Sequence, residues 1–335
     1  MLTRSRRHAA VSAALSALND DGLTDLLVGA TPLGTGIGGT ALALDVAGAR
    51  VFVKKVPLTE RELRPENVRS TADLFGLPAF FQYGIGSAGF GAWRELAAHT
   101  TTTGWVLAGD YHGFPLMHHW RVLPGASPTP DEHDDLERVV GYWGGSAGVR
   151  DRFEALRRSP AQLVLFLEFL PRTVHQWLLD RIADGGEVLD AALGMVHREL
   201  LAGTRFMASR GLLHFDAHFD NVMTDGERLY FADFGLTTSS GFALSPAEEE
   251  FFAAHRDYDR CYTAAHFHGW FGRNFTDLPD SAASLVEHYA PIAEVLDPFF
   301  RELHRHDRTT PYPTAELDRV LAGLPPWRGA GKVGR

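Results

Sequence analysis

The spacing of apolar residues changes along the chain, from a strand-like pattern in the first half to a helical one in the second. Residues 41–46 and 50–56 are mostly apolar, and the small residues 47–49 between them are suited to a turn. The apolar run 163–170 ends at Pro171, as expected of a buried strand. The pattern therefore predicts an α+β fold whose strands precede most of its helices.

Helices are expected wherever apolar residues recur every three or four positions. The period is clear between residues 193 and 207, and Gly211 follows that segment as a C-cap. The predicted helices cover the N-terminal residues to about 27, and residues 92–99, 136–142, 173–179, 193–207, 246–270 and 280–305.

Proline, glycine and polar residues divide the chain into segments of different character. A strand that ends at a proline, followed by a helix, is typical of a junction between two lobes. The predicted organisation is an N-terminal helix (1–28), a first lobe (29–170) with an insertion around 124–160, a second lobe (171–323) and a frayed tail (324–335).

Charge and hydropathy narrow the range of partners. The formal net charge of −10 argues against generic binding to nucleic acid or to an anionic membrane, because both require a basic surface. No apolar stretch has the length of a membrane span. The basic and Ala-rich residues 4–18 are interpreted as a surface helix rather than a signal peptide, because Ser12 and Ser16 interrupt a short apolar part.

Cysteine and histidine offer little for a metal site. Cys261 is the only cysteine of the 335 residues, which excludes an intramolecular disulfide and a Cys-based zinc site. A reducing, cytoplasmic location fits that composition. The closest histidine pairs, His118–His119 and His266–His268, have no third ligand at suitable spacing and are interpreted as core or surface residues.

A glycine-rich segment opens the predicted hairpin. Gly34, Gly36 and Gly39 have the spacing of a dinucleotide-binding loop, but strand-like sequence follows them where that loop would require a helix. This context favours a flap that covers phosphate groups. A plain flexible turn remains the alternative.

One stretch in the second half of the chain concentrates residues suited to catalysis. Asp216 is followed five residues later by Asn221, and a short strand at 228–231 leads to Asp233. A turn at 224–226 joins the two loops, so a hairpin would bring two carboxylates and a carboxamide together. Such a set can hold a divalent cation and orient a hydroxyl, which are the main requirements of phosphoryl transfer.

The order of these features resembles the protein-kinase-like superfamily, which includes aminoglycoside and choline phosphotransferases as well as protein kinases. The features are the glycine-rich hairpin, a lysine, a helix with a glutamate, a connector strand, His214-x-Asp216 with Asn221, and Asp233-Phe234-Gly235. The resemblance covers about residues 30–270. It implies a bilobal fold with a small antiparallel β-rich first lobe and a mainly helical second lobe.

The resemblance assigns the nucleotide contacts to the first lobe. Lys54 would contact the phosphates, because Val51-x-Val53-Lys54 matches a kinase third strand. Lys55 remains the alternative, since neighbouring residues of a strand face opposite sides. Glu95 would pair with the lysine. The competing glutamates are Glu60, Glu62 and Glu66. The other implied contacts come from the backbone of Gly34, Gly36 and Gly39 to phosphate, and of Glu168, Phe169 and Leu170 to adenine.

The resemblance assigns the chemistry to residues 211–238. Asp216 would accept or orient the proton of the acceptor hydroxyl. Asn221 and Asp233 would hold magnesium, because their oxygens are hard ligands. His218, which occupies a position where small-molecule phosphotransferases often have histidine, either contacts phosphate or packs the loop.

Two departures from the protein-kinase pattern bear on the acceptor. Phe215 stands where protein kinases carry the arginine that receives an activating phosphate, and His218 stands where Ser/Thr kinases have lysine. The segment 236–245 is short and has no clear anchor motif; Ser245-Pro246-Ala247-Glu248 is only a loose match. Phe215 argues against a phosphorylation switch, whereas His218 and the short segment favour a small acceptor; Asp233-Phe234-Gly235, in contrast, is written as in protein kinases.

The sequence therefore predicts a cytoplasmic, Mg- and ATP-dependent phosphotransferase that acts on a hydroxyl group of a small molecule. The alternatives are a Ser/Thr protein kinase and a non-catalytic nucleotide-binding protein. The acceptor, the choice between ATP and GTP, and the oligomeric state stay open.

Overall fold

A computed structural model describes residues 3–126, 128, 130–275 and 278–327 of this chain. These residues form an α+β fold with a five-stranded antiparallel sheet and many helices. Their contacts divide them into two units. The first contains the described residues of Met1–Leu170 with Asp233–Glu249, and the second those of Pro171–Ala232 with Glu250–Arg335. Asp233–Glu249 thus groups with the first unit, although the sequence placed it in the second lobe.

The sheet of the first unit contains two consecutive hairpins that share their middle strand, and a further pair of strands that comes later in the sequence. Its strands are β1 (Thr31–Gly36), β2 (Gly39–Val46), β3 (Ala49–Leu58), β4 (Met117–Pro124) and β5 (Ala161–Glu168), in the order β1-β2-β3-β5-β4. All neighbouring strands are antiparallel. The glycines that were expected to precede the first strand lie within β1 and at the start of β2.

Helices cover both faces of this sheet. The helices of the first unit are α1 (Arg4–Ser16), α2 (Asp20–Val28), α3 (Glu60–Leu63), α4 (Ala92–Ala108), α5 (Leu136–Tyr142) and α6 (Ala147–Arg157). Val51 and Val53 of β3 pack in one cluster with α1 and α2, whereas Val56 and Leu58 pack with α4. Alternation along β3 therefore directs the side chain of Lys54 towards α4.

The sequence predicted one N-terminal helix, whereas the structure has two, α1 and α2. The chain breaks at Asn19, whose side chain accepts a hydrogen bond of 2.9 Å from the backbone N–H of Gly22 and so caps α2. Asp20 and Asp21 in the first turn add favourable charge at that end. A capping residue followed by acidic residues was the signal for a second helix.

The insertion and residues 75–90 share a small apolar core. Phe81 and Trp143 lie at its centre with ring centroids 4.6 Å apart, and Phe153 of α6 packs against Phe81. A buried ion pair of 3.0 Å joins Glu62 of α3 to Arg152 of α6. These contacts fasten the insertion to the segment that precedes α4.

Helices dominate the second unit. Its elements are β6 (Arg172–Thr173), α7 (Val174–Asp184), α8 (Gly186–Ser209), β7 (Leu212–Leu213), β8 (Val222–Thr224), β9 (Leu229–Phe231), α10 (Tyr258–Asn274), α11 (Asp280–Arg305) and α12 (Thr314–Gly323). β10 (Thr238–Ser239) and α9 (Pro246–Ala254) lie between β9 and α10 in the chain. β6, β8 and β9 form an antiparallel sheet.

The predicted helix 246–270 is two helices in the structure. α9 ends at Ala254, and the backbone N–H of Tyr258 donates to the carbonyl of His255 in the turn that follows. The His255 ring, which is buried, also hydrogen-bonds to the carbonyl of Phe251. Polar side chains that bond to the local backbone compete with helix continuation.

Candidate functional site

Lys54 is the centre of a buried charge cluster in the first unit. Its Nζ lies 2.7 Å from Oε1 of Glu95 on α4 and 2.7 Å from Oδ1 of Asp233. Lys54 is 6% exposed and Glu95 2%. The structure thus brings together three residues from distant parts of the chain that the sequence had singled out separately.

The electrostatics of this cluster keep Lys54 cationic. Burial by itself lowers the pKa of its ammonium, but the charges of Asp233 and Glu95 more than compensate, so the pKa lies above the ordinary value. Burial raises the pKa of the Glu95 carboxyl to about 7, and the charge of Lys54 opposes that rise. Such a perturbed group, held by a specific partner, is a recognised mark of a functional site.

The alternative lysine and glutamates that the sequence left open do not join this charge cluster. Lys55 is half-buried, and strand alternation places its side chain on the face of β3 opposite to Lys54. Glu62 is occupied by Arg152 and by the capping interactions that begin α3. Glu60 and Glu66 are exposed. Lys54 and Glu95 are therefore the pair around which nucleotide contacts can be built.

The glycine-rich hairpin approaches Lys54 through a residue that the sequence did not single out. A Cβ atom on Gly38, in the turn between β1 and β2, would lie 3.0 Å from Nζ of Lys54. Gly39 has φ +120°, and a Cβ there would lie 2.1 Å from the carbonyl oxygen of Lys55. A Cβ on Gly34 or Gly36 would meet nothing within 4 Å. Gly39 thus permits the hairpin, and Gly38 leaves room at the lysine.

We expect Gly38→Val to weaken binding of Mg-ATP by about tenfold or more, since the added methyl groups would displace the Lys54 ammonium. Isothermal titration calorimetry measures the change. Gly36→Ala is the comparison in the same hairpin, because its added Cβ leaves Lys54 in place. Equal affinity of Gly38→Val and the wild type would contradict the assignment of this turn to the phosphates.

The end of β5 is held by the N-terminal helix. Arg4 of α1 contacts the Glu168 carboxylate at 2.6 Å and donates to the carbonyl of His112 at 2.9 Å. The backbone N–H of Glu168 donates to the carbonyl of Leu116 at 2.8 Å. That N–H is therefore already used, so an adenine contact from this segment would involve its other backbone groups, including the N–H groups of Phe169 and Leu170.

A second ion pair fixes α4 beside Glu95. Arg94 contacts the Glu248 carboxylate at 2.6 Å, and both side chains are buried. Glu248 belongs to the loose Ser-Pro-Ala-Glu match, so the structure gives that segment an anchor which the sequence did not reveal. Because Arg94 and Glu95 are neighbours, the pair restrains the helix turn that presents Glu95 to Lys54.

Asp216 and Asn221 form a compact loop in the second unit. Nδ2 of Asn221 donates to the Asp216 carboxylate at 2.9 Å and to the Asp216 carbonyl at 3.1 Å. The Asp216 side chain is 23% exposed, so a solute can reach it. The carboxamide thus orients the carboxylate without burying it.

A buried carboxylate that the sequence did not reveal supports this loop. Asp259 of α10 accepts hydrogen bonds from the backbone N–H groups of His214, at 2.6 Å, and Phe215, at 2.9 Å. The His214 ring bonds to the carbonyl of Ala232 at 2.9 Å. His214 therefore links the loop of Asp216 to the residue that precedes Asp233.

Both motifs contain a non-glycine residue in the left-handed region of the backbone. Phe215 has φ +65°, which is strained for a bulky side chain, and Asp233 has φ +60°, which aspartate tolerates better. Strain at a residue such as Phe215 costs about 1–3 kcal/mol and concentrates at functional sites. Phe215 is fully buried and stacks on Tyr258 with centroids 4.4 Å apart. The aromatic packing stabilises a conformation that the backbone alone disfavours.

His218 lies between the two interpretations that the sequence left open. Its Nδ1 accepts a hydrogen bond of 3.2 Å from the backbone N–H of Asp220, so its neutral ring carries the proton on Nε2. Nε2 lies 3.8 Å from the Asp216 carboxylate, beyond direct hydrogen-bond distance. His266, from one of the histidine pairs, accepts from the backbone N–H of Phe219, and burial lowers its pKa to about 3. The His266 ring packs the loop, whereas the His218 side chain, 29% exposed beside Asp216, is also accessible to a ligand.

We expect Asp259→Asn to reduce the free energy of unfolding by about 1–3 kcal/mol, because an amide accepts only one of the two N–H bonds and leaves the other donor unpaired. Thermal or urea unfolding monitored by circular dichroism measures the loss. Asp257→Asn is the matched control, since its half-buried side chain receives neither bond. Equal losses for both variants would show that Asp259 is not what holds the loop.

The loss of stability caused by Asp259→Asn should depend on pH, and the direction of that dependence follows from the pKa of Asp259. Burial, opposed by the two hydrogen bonds and reinforced by the charge of Asp216, raises the pKa of Asp259 to about 6. The folded protein holds this proton more tightly than the unfolded chain does. The contribution of Asp259 to stability therefore increases as the pH falls from 6 towards 3.8. Asparagine does not titrate, so the difference in Tm should widen in acid; a narrower difference would contradict the assignment.

The residues expected to hold magnesium have suitable atoms. Asn221 directs Nδ2 to Asp216, so Oδ1 is the amide atom left for a cation. The Asp233 side chain is 41% exposed. Within the described residues, no group of three or more His, Cys, Asp and Glu side chains is placed to hold a metal ion. Amide and carboxylate oxygens of this kind each suit a hard cation such as Mg²⁺.

No protein-family model matches this chain, and no curated protein matches its sequence. Across the part of the chain that the structure describes, no helix combines the length and the apolarity needed to cross a membrane.

Proposed function

We propose that this protein is a Mg-ATP-dependent phosphotransferase that moves the γ-phosphoryl group of ATP to a hydroxyl of a small molecule. The observation that carries the proposal is the buried Lys54 ammonium, 2.7 Å from both Glu95 and Asp233 and next to a glycine turn. Burying a charge costs free energy unless the charge is paired. A buried, paired group with a perturbed pKa is a candidate for a functional role. A lysine fixed by a glutamate, with a glycine-rich hairpin beside it, suits the recognition of nucleotide phosphates.

Each residue has a role in the proposed reaction. Lys54 binds nucleotide phosphate oxygens, and Glu95 holds its ammonium in position. Asp216 accepts a hydrogen bond from the acceptor hydroxyl and receives its proton as the new P–O bond forms and the bond between the γ-phosphorus and the bridging oxygen of ADP breaks, releasing ADP. Asp233 and Asn221 provide oxygen ligands for magnesium. When bound, magnesium neutralises part of the phosphate charge.

Two features favour a small acceptor. The segment after Asp233 is held by contacts within the first unit: Gln82 donates to the carbonyl of Leu236, and the backbone N–H of Ala243 donates to Thr71 at 2.9 Å. A segment packed in this way offers little unpaired backbone to an incoming peptide. Phe215 is buried among aromatic rings, in the position where protein kinases use an arginine to bind an activating phosphate.

A transfer screen tests the proposal. Purified protein is incubated with Mg-ATP and with panels of small alcohols, aminoglycosides and test proteins, and phosphate release and transfer are both measured. Asp216→Asn serves as the blank. We expect transfer to at least one small hydroxylated compound. Transfer to protein alone would favour a Ser/Thr kinase, and nucleotide binding without any turnover would favour a non-catalytic binder.

A further inference from the structure

The second unit contains a cavity that does not include the residues assigned to phosphoryl transfer. It lies among α8, α10, α11 and the segment Leu324–Trp327, and its volume is about 690 Å³. Small-molecule sites typically have about 300–1,000 Å³. Asp216 and Asn221 do not line it.

One stripe of α8 forms a wall of the cavity. Gly194, Arg198, Leu201 and Arg205 recur at helical spacing, so their side chains share one face. A Cβ on Gly194 would lie 3.3 Å from a terminal nitrogen of Arg198, which shows that the guanidinium extends over the glycine. Because Gly194 has no side chain, the Arg198 guanidinium can lie against this wall of the cavity.

The lining combines positive charge with apolar surface. Arg198, Arg205 and Arg260 contribute guanidinium groups, and no Asp or Glu is among the described residues that line the cavity. The chain as a whole carries a net charge of −10, so this lining differs in sign from the rest of the molecule. Tyr289 and Trp327 contribute aromatic surface. A lining that combines guanidinium groups with aromatic rings is suited to an anion with an apolar body.

The three arginines have no anionic partner within the described part of the chain. Arg198, Arg205 and Arg260 make no ion pair there, whereas the buried Arg94 and Arg152 are each paired with a glutamate. A guanidinium without an internal partner is available to a ligand carboxylate or phosphate, which it can bind through two parallel hydrogen bonds.

Two histidines make the interior polar without adding charge. Nδ1 of His197 lies 2.7 Å from the hydroxyl of Tyr289. Burial, with smaller contributions from His288 and Arg198, lowers the pKa of His197 to about 4. Burial and the charge of Arg260 also lower the pKa of His288. The positive potential of the site therefore comes from the arginines, and the histidines offer neutral hydrogen-bonding groups.

The C-terminal segment that the sequence predicted to fray closes one side of the cavity. Nε1 of Trp327 donates to the hydroxyl of Ser284 at 3.1 Å, and its ring lies 4.7 Å from that of His197. Leu324, Pro325 and Pro326 complete this wall. The prediction of a frayed tail is thus wrong for residues 324–327; residues 328–335 lie outside the described part of the chain.

We propose that this cavity binds an organic anion with a phosphate or carboxylate head and an aromatic body. The head lies against Arg198, Arg205 and Arg260, and the body packs against Tyr289 and Trp327. The site is independent of the proposed phosphotransferase chemistry, because it uses none of the same residues. The protein would then bind an organic anion in addition to the ligands of the proposed phosphotransferase site.

Calorimetric titration with 1-naphthyl phosphate and 1-naphthoate tests this inference and distinguishes the two head groups. We expect one of them to bind at micromolar to millimolar concentration and the neutral analogue 1-naphthol to bind about tenfold or more weakly. Affinity should fall as ionic strength rises. Titration of the Lys54→Met variant with the same probe should give an unchanged affinity, because a probe held at the nucleotide site would lose binding there.

Variants of the lining separate this site from non-specific attraction. Arg198→Gln/Arg260→Gln should weaken binding by about tenfold or more, whereas Arg301→Gln, an exposed arginine of α11 outside the lining, should leave it unchanged. Trp327→Phe should preserve the head-group dependence and reduce affinity less. Absence of binding by both probes, or equal affinity in the double variant and the wild type, would overturn the proposal.

Discussion

Lys54→Met is expected to lower the rate of phosphoryl transfer by about 10²–10³-fold, the usual effect of removing one preorganised electrostatic contact to a reacting phosphate. The variant also leaves Glu95 and Asp233 without their shared cation. Since burial already raises the pKa of Glu95 to about 7, its carboxyl can respond by taking up a proton, and the fold should survive. Turnover with a compound found by the transfer screen, and calorimetric binding of Mg-ATP, measure the two consequences.

Lys55→Met is the matched control for this result. The two lysines are adjacent in β3, but Lys55 is half-buried on the opposite face and has neither carboxylate as a partner. Its replacement should change turnover by less than about twofold, as expected of a residue outside the site. Similar losses in both variants would remove the special role of Lys54. A Lys54→Met/Glu95→Gln double variant, which contains no unpaired buried carboxylate on α4, separates a loss of folding from a loss of chemistry.

Asp216→Asn is expected to lower turnover by about 10²–10⁴-fold, the range typical of removing a general base. Asparagine has the shape of aspartate, and one oxygen remains to accept the hydrogen bond from Asn221. The variant should therefore fold normally and bind Mg-ATP with an unchanged Kd. The combination of intact binding with lost turnover is the result that identifies a group acting in the chemical step.

Asp220→Asn provides the corresponding control in the same loop. Asp220 is exposed, and its side chain is 62% accessible beside His218. It should retain full turnover. If Asp216→Asn kept more than about a tenth of wild-type turnover, the general-base role would fail, because one factor of ten is only 1.4 kcal/mol of barrier.

Local patterns predicted the parts of the fold that short-range physics determines. Alternation along residues 50–56 was sufficient to place Lys54 and Lys55 on opposite faces, because the side-chain period of a strand is fixed by its geometry. The burial of β5 followed from an unbroken apolar run. The hairpin that leads to Asp233 followed from its turn residues, and the structure has strands on both sides of that turn.

Other features depend on contacts between distant segments and left no local signal. Asp259 supports the loop of Asp216 from 45 positions away in the chain, and nothing around it distinguishes it from a solvent-exposed helix carboxylate. Gly38 was missed because the spacing of a glycine motif does not reveal which member will face the lysine. The break between α9 and α10 depends on the packing of His255, which a helical periodicity does not detect.

The pairing of Arg94 with Glu248 gives the chain segment from Asp233 to Glu248 an unusual attachment. At one end Asp233 binds Lys54 of β3, which also binds Glu95 of α4, and at the other end Glu248 binds Arg94 of α4. Closing a loop in this way removes much of its conformational entropy at a cost that grows only slowly with its length. A displacement of α4 would therefore act on Glu248 directly and on Asp233 only through Lys54.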